Sequence, residues 1–148
     1  MITYQEEDPR DFLDEAKPIL DAYYKDLIPE HSLPFEPNLE QYFNAYDCGN
    51  LVCITCRDDG KLVGVSAFFL LPYLYSRLHR IAIEDLYYVC ESHRKGSIGI
   101  RLLKEAEKVL KFNGASIINV VSKAHQDRTT LYERLGYRYT EKHFSKQV

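Results

Sequence analysis

The residues from Glu84 to Leu103 combine types and spacings that could hold an anion and move a proton. A β-rich run ends at Val89. A short polar segment follows, carrying the cations Arg94 and Lys95 and the glycines Gly96 and Gly99, and an apolar helical stripe begins at once. A strand that turns directly into a helix leaves backbone N–H groups unpaired at the positive end of the helix dipole, where a phosphate or diphosphate binds well. Small residues let the anion touch the main chain itself. Gly-x-x-x-x-Gly-Lys-Ser/Thr and Gly-x-Gly-x-x-Gly are both absent, which excludes the P-loop and the dinucleotide fingerprint. The same stretch opens with two carboxylates, Glu84 and Asp85, groups able to accept a proton. Because strand side chains alternate, Asp85 is expected to share a face with Tyr87 and Val89, and Glu84 with Leu86 and Tyr88, unless a bulge intervenes.

These groups need a frame, and the rest of the chain supplies one. Over residues 9–27, Phe12, Ala16, Ile19, Leu20, Tyr23 and Leu27 recur at helical spacing, with acids near the start, predicting an amphipathic helix bent at Pro18. Pro29, Pro34 and Pro37 mark residues 28–37 as a loop, either a groove border or a plain connector, after which Asn38 caps a short helix through about residue 46. Residues 51–57 and 62–71 flank Asp58-Asp59-Gly60-Lys61, a strong hairpin signal, and a third strand is expected over 80–89. From 97 to 112, Ile98, Leu102, Leu103, Ala106, Val109 and Leu110 form one helical stripe, which Asn113-Gly114 ends. A strand over 115–122, a helix over about 125–135 stopped by Gly136 and a final strand over 137–144 complete the order. The prediction is one mixed α/β domain over residues 1–148, an antiparallel meander leading into a βαβ-like half.

With these residues in place, the chain resembles the GNAT N-acetyltransferase superfamily. That family's diphosphate signature, Arg/Gln-x-x-Gly-x-Gly/Ala, is entered from a strand with an aliphatic residue five positions earlier. Here Val89 precedes Arg94-Lys95-Gly96-Ser97-Ile98-Gly99, which matches at Arg94 and Gly99. Ser97 stands where the first glycine is usual; its hydroxyl can donate to a phosphate, or Gly96 takes the glycine's role in a shifted loop. A second match, Leu131-Tyr132-Glu133-Arg134-Leu135-Gly136-Tyr137, resembles Leu/Phe-Tyr-x-x-x-Gly-Phe/Tyr. The match is good over roughly residues 50 to 145, whereas the N-terminal helices agree by position alone.

The resemblance implies a single-domain GNAT-like α+β fold, a mixed, mostly antiparallel twisted sheet flanked by helices. It implies acetyl-CoA as cosubstrate, its diphosphate on the segment from Arg94 through Lys95, Gly96, Ser97, Ile98 and Gly99 to Ile100. Its pantetheine would insert beside Leu86, Tyr87, Tyr88 and Val89, where the third strand splays from residues 115–122. An amine attacks the thioester directly in a ternary complex, the backbone N–H of Tyr88 or Val89 holds the oxyanion, and Tyr132 protonates the departing thiolate. A phenol, with an ordinary pKa near 10, arrives protonated; the other reading of Tyr132 is a core tyrosine. Asp85 is favoured over Glu84 as base, and either carboxylate alternatively serves only a structural pairing. His125 and Arg128 stand where many members carry Asn and a small residue; Arg128 either reaches a CoA phosphate or is a solvated helix charge. The alternative function is a non-catalytic acyl-CoA-binding or protein-interaction module on the same fold.

Composition bounds the partners. The 148 residues are 45% hydrophobic and 28% charged, a globular balance, and the net charge of −3 with no basic stripe excludes a phosphate-neutralising nucleic-acid binder. The longest apolar run falls far short of the roughly 20 residues a membrane span needs. The acidic N-terminus lacks the pattern of a secretory signal, so a cytoplasmic address is expected. Cys53 and Cys56 lie three apart in one expected strand and point to opposite faces, so no metal site is expected. Asp26, Glu30, Glu36 and Glu40 with neighbouring tyrosines suit a cationic amine, whether a small molecule, a protein lysine or an N-terminus, or are a solvated acidic face. A monomer or homodimer is expected.

Overall fold

The computed structural model describes residues 1–27 and 32–148. The Asp59-Gly60 pair sets the first hairpin, because both residues adopt left-handed φ values of 46° and 87°, as a two-residue type I′ turn requires. It joins β2 (Leu51–Asp58) to β3 (Lys61–Pro72). β4 (Arg80–Val89) pairs antiparallel with β3, and β5 (Ala115–Asn119) pairs parallel with β4. β1 (Ile2–Glu6) pairs antiparallel with β2, so one five-stranded sheet runs β1-β2-β3-β4-β5.

Helices cover both faces. α1 (Pro9–Leu27) continues through Pro18, and α2 (Leu39–Asp47) is capped by Asn38, whose side chain accepts from the Gln41 N–H. Phe12, Ala16, Ile19 and Leu20 of α1, with Tyr42 and Ala45 of α2, pack on Leu51, Cys53, Val65, Ala67 and Leu86. On the other face α3 (Ile98–Phe112) buries Leu102, Leu103, Ala106 and Leu110 against Val52, Ile54, Cys56, Phe68 and Leu70, and α4 (Thr129–Arg134) adds Tyr132. Cys53 and Cys56 therefore sit in opposite cores as free thiols. Among the described residues no cluster could hold a metal, and no helix is long and apolar enough to cross a membrane. Pro29 and Glu30 lie outside the described residues; of the loop that follows, Phe35 packs on Tyr24 with ring centroids 4.4 Å apart.

Four expectations are corrected. β1 was not expected; Ile2 and Tyr4 alternate onto the α3 face, a pattern hidden because the segment is short and acidic. β5 ends at Asn119 instead of residue 122, since its pairing with β4 stops at Ile83–Asn119. α4 starts at Thr129 instead of 125, because Lys123 and Gln126 bridge across a turn that contains His125. Residues 137–144 form no strand. Tyr137 alone finds apolar cover there, against Tyr132, and a run carrying Arg138, Thr140, Glu141 and Lys142 has no apolar face to order it without a neighbouring strand.

An ion-pair network fastens the N-terminal elements to the sheet. Arg57 Nε lies 2.8 Å from Glu7 and its Nη1 lies 2.9 Å from Glu15 of α1, while the Thr55 hydroxyl also donates to Glu7. The Arg57 guanidinium holds the Glu7 carboxyl down at about 2. A carboxylate with a lowered folded-state pKa stabilises the fold above its unfolded value of about 4.5, and that stability is lost as pH falls towards 2. The melting temperature should therefore drop through this window, and Glu7→Gln should flatten that part of the profile; an unchanged slope in the variant would remove Glu7 from the account.

Candidate active site

The strand-to-helix connection is built from local conformations. After β4 a single 3-10 turn (Glu91–His93) consumes the Arg94 N–H on the Glu91 carbonyl at 3.2 Å. Gly96 then adopts φ 95°, a left-handed conformation that glycine tolerates best. Ser97 is the N-cap of α3 but its hydroxyl makes no capping bond. The helix ladder begins with Arg101 N–H on the Ser97 carbonyl at 2.9 Å, so the amides of Lys95, Gly96, Ser97, Ile98, Gly99 and Ile100 have no protein acceptor among the described residues. Lys95, Gly96 and Ser97 are exposed; Ile98, Gly99 and Ile100 are half-buried. A Cβ at Gly99 would stand 2.7 Å from the Tyr87 hydroxyl, so the glycine lets that ring pass under the helix start. Arg94 spends Nε on the Val89 carbonyl at 2.9 Å, lies over the Tyr88 ring at 5.0 Å and approaches Asp26 of α1 at 4.0 Å.

Beside this loop the sheet opens. β4 and β5 part after Ile83–Asn119, and the cleft between them is lined by Glu84, Tyr87, Tyr88 and Val89, by Val121, Lys123, His125 and Arg128, and by Tyr23 and Asp26 from α1. Cys90 donates its N–H to Val63 at 2.8 Å on the β3 side, so backbone alternation turns the Val89 N–H towards the cleft.

A β-bulge decides which carboxylate faces it. Ala67 pairs with Leu86 but Phe68 pairs with Glu84, leaving Asp85 as the extra residue. The alternation expected from sequence is thus broken: Asp85 and Leu86 both face α1 and α2, while Glu84 lies in the cleft with Tyr87. Asp85 accepts from the Tyr42 hydroxyl at 2.8 Å, and its carbonyl accepts from Tyr23 at 3.1 Å. Burial raises the Asp85 carboxyl, and the bond from Tyr42 opposes it. Neither tyrosine is legible as a partner from spacing.

Glu84 Oε2 accepts the Val121 N–H at 3.1 Å, and the Tyr132 hydroxyl donates to the Val121 carbonyl at 3.0 Å. Burial pushes the Glu84 carboxyl up to about 7, against the pull of Arg128. Burial also pushes the Tyr132 phenol up to about 12, with Glu84 adding to it. Arg128 is not a solvated helix charge: its guanidinium lies 4.9 Å over the Tyr87 ring. His125 is exposed on the cleft rim. Asp26 is the member of the acidic set that lines the cleft; Glu36 and Glu40 are exposed away from it, and Glu30 lies outside the described residues.

Residues 16–137 match the acetyltransferase (GNAT) family. Similar solved structures include a ribosomal-protein-alanine N-acetyltransferase from Brucella melitensis biovar Abortus 2308 (20% identity, 100% of this chain and 98% of that chain, TM-score 0.76). An aminoglycoside acetyltransferase from an uncultured soil metagenomic sample, in complex with sisomicin, is 15% identical over 99% of this chain and 96% of that chain, with TM-score 0.76. A Trypanosoma brucei acetyltransferase is 16% identical over 100% of both chains, with TM-score 0.73. At these identities the likeness is one of fold. No curated protein matches the sequence.

Proposed function

The chain belongs to the acetyltransferase (GNAT) family, and from that premise we propose that it transfers an acetyl group from acetyl-CoA to a primary amine by direct attack in a ternary complex. The Val121 peptide carries this reading: a carboxylate and a phenol meet on one residue, in a strand splay that opens beside a loop of unpaired amides. The amides from Lys95 to Ile100 hold the diphosphate, aided by the dipole of α3. The pantetheine arm lies along Leu86, Tyr87, Tyr88 and Val89, with Arg128 and His125 on its far side.

Glu84, not Asp85, is the base. It lies in the cleft, whereas Asp85 is held on the opposite face by Tyr42. A carboxyl raised to about 7 is poised to accept a proton from an ammonium near neutral pH. The Val89 N–H faces the oxyanion that forms on attack. Tyr132 stays protonated well above neutrality and gives its proton to the departing thiolate. Asp26 at the rim favours a cationic acceptor, a small-molecule amine or a protein amine.

Acetyl-CoA at 100 times its dissociation constant should stabilise the fold by about 2.7 kcal/mol, read as a thermal shift. Thiol release with a panel of amines should then identify an acceptor. A shift with no thiol release from any amine would leave a module that only binds acyl-CoA; no shift would end the proposal.

A further inference from the structure

The Glu84 carboxylate is only half satisfied. Oε2 takes the Val121 N–H, while Oε1 is shielded from solvent and has no hydrogen-bond partner among the described residues. A buried polar atom left this way costs free energy. The Val121 N–H that Glu84 occupies belongs to the segment where β5 has left β4. On the acetyl-transfer reading, that is where an amide-bearing pantetheine arm must find its backbone partners. One N–H cannot serve the carboxylate and the arm together.

We propose that Glu84 and Val121 form a latch: entry of the cosubstrate's amide chain takes the Val121 N–H from Glu84 and so delivers that carboxylate to the acceptor amine only after the thioester is seated. Bound to Val121, Glu84 is both held away from the acceptor and weakened as a base, since a donated N–H stabilises the charged carboxylate. Released, it stays in the cleft, facing Tyr23 of α1, Tyr87 of β4, Lys123 beyond β5, and Arg128 and Tyr132 at α4, while Asp85 lies next to it on the strand but turned to the other face. Lys123 and Arg128 are the cations that keep it there. CoA affinity therefore carries the cost of opening the latch.

Calorimetric titration of CoA into the wild type, Glu84→Gln and Glu84→Ala distinguishes this from a structural role. Removing the competing carboxylate should tighten CoA binding about tenfold in Glu84→Ala, the worth of a hydrogen bond to a charged group. Glu84→Gln, a neutral acceptor of the same size, should fall between, and acetyl transfer should drop in both. A residue that merely held the cleft in shape would weaken CoA binding when removed. If neither variant binds CoA more tightly than the wild type, the latch is overturned while the acetyl-transfer reading stands. If the wild type does not bind CoA, that reading falls first and the latch with it. Glu84→Gln preserves side-chain volume and decides the matter should Glu84→Ala fail to fold.

Discussion

Tyr132→Phe is expected to slow acetyl transfer by about a hundredfold or more, the usual scale for losing a positioned general acid, while CoA affinity stays close to that of the wild type. The phenyl ring keeps the packing that buries Tyr132 in the α3 core, so the fold should survive. The direct structural loss is one hydrogen bond, from the hydroxyl to the Val121 carbonyl, a cost of about 1 kcal/mol. Tyr137, the neighbouring ring at 5.8 Å, cannot substitute, because its hydroxyl is engaged by Glu107 at 2.6 Å. Steady-state thiol release at saturating amine reads the effect: kcat should fall and the CoA KM should hold. Equal turnover by the variant would remove Tyr132 from the proton-donating role.

The largest stability effect is expected at Phe68. This residue is fully buried near the middle of β3 and belongs to the core that Leu102, Leu103 and Ala106 of α3 complete. Phe68→Ala should cost about 3–5 kcal/mol, from lost transfer free energy and the cavity left behind. For a chain of this size that is a fall in melting temperature of roughly 10 °C. Phe68→Leu, which keeps most of the volume, should cost less than about 1.5 kcal/mol. Urea unfolding of both variants tests the account, and a cost below 1 kcal/mol for the alanine would mean that the core had closed over the gap. Phe68 also pairs with Glu84 across the bulge, so the alanine variant should lose acetyl transfer in excess of its unfolded fraction.

Where local physics dominates, the sequence was a sufficient guide. The Asp59-Gly60 turn, the Asn38 cap, the α3 stripe and the bounds of β4 all follow from turn chemistry or periodicity within a few residues. The loop of unpaired amides from Lys95 to Ile100 was legible for the same reason, since glycines and cations at a strand-to-helix junction are a local pattern. Elements that depend on distant partners were not. β1 exists because β2 offers an edge and α3 offers apolar cover for Ile2 and Tyr4. The run from 137 to 144 has strand-like residues but no such partner. The identity of the cleft carboxylate turned on the register between β3 and β4, a tertiary quantity, which is why simple alternation pointed to Asp85 and not Glu84.

The extra residue in β4 contributes shape as well as chemistry. Ala82 and Tyr87 lie on the same face of the sheet although they are an odd number of positions apart, which an unbulged strand forbids. Deleting Asp85 would seat Leu86 directly after Glu84 in the register both already hold against Ala67 and Phe68, restoring plain alternation with the side chains from Ala82 to Val89 on their present faces. What the extra residue supplies is the local bend and added twist of a bulge, next to the place where β4 and β5 part. Without it the strand should run straighter at the point where the cleft opens, so the residue sets the mouth of the site through backbone shape.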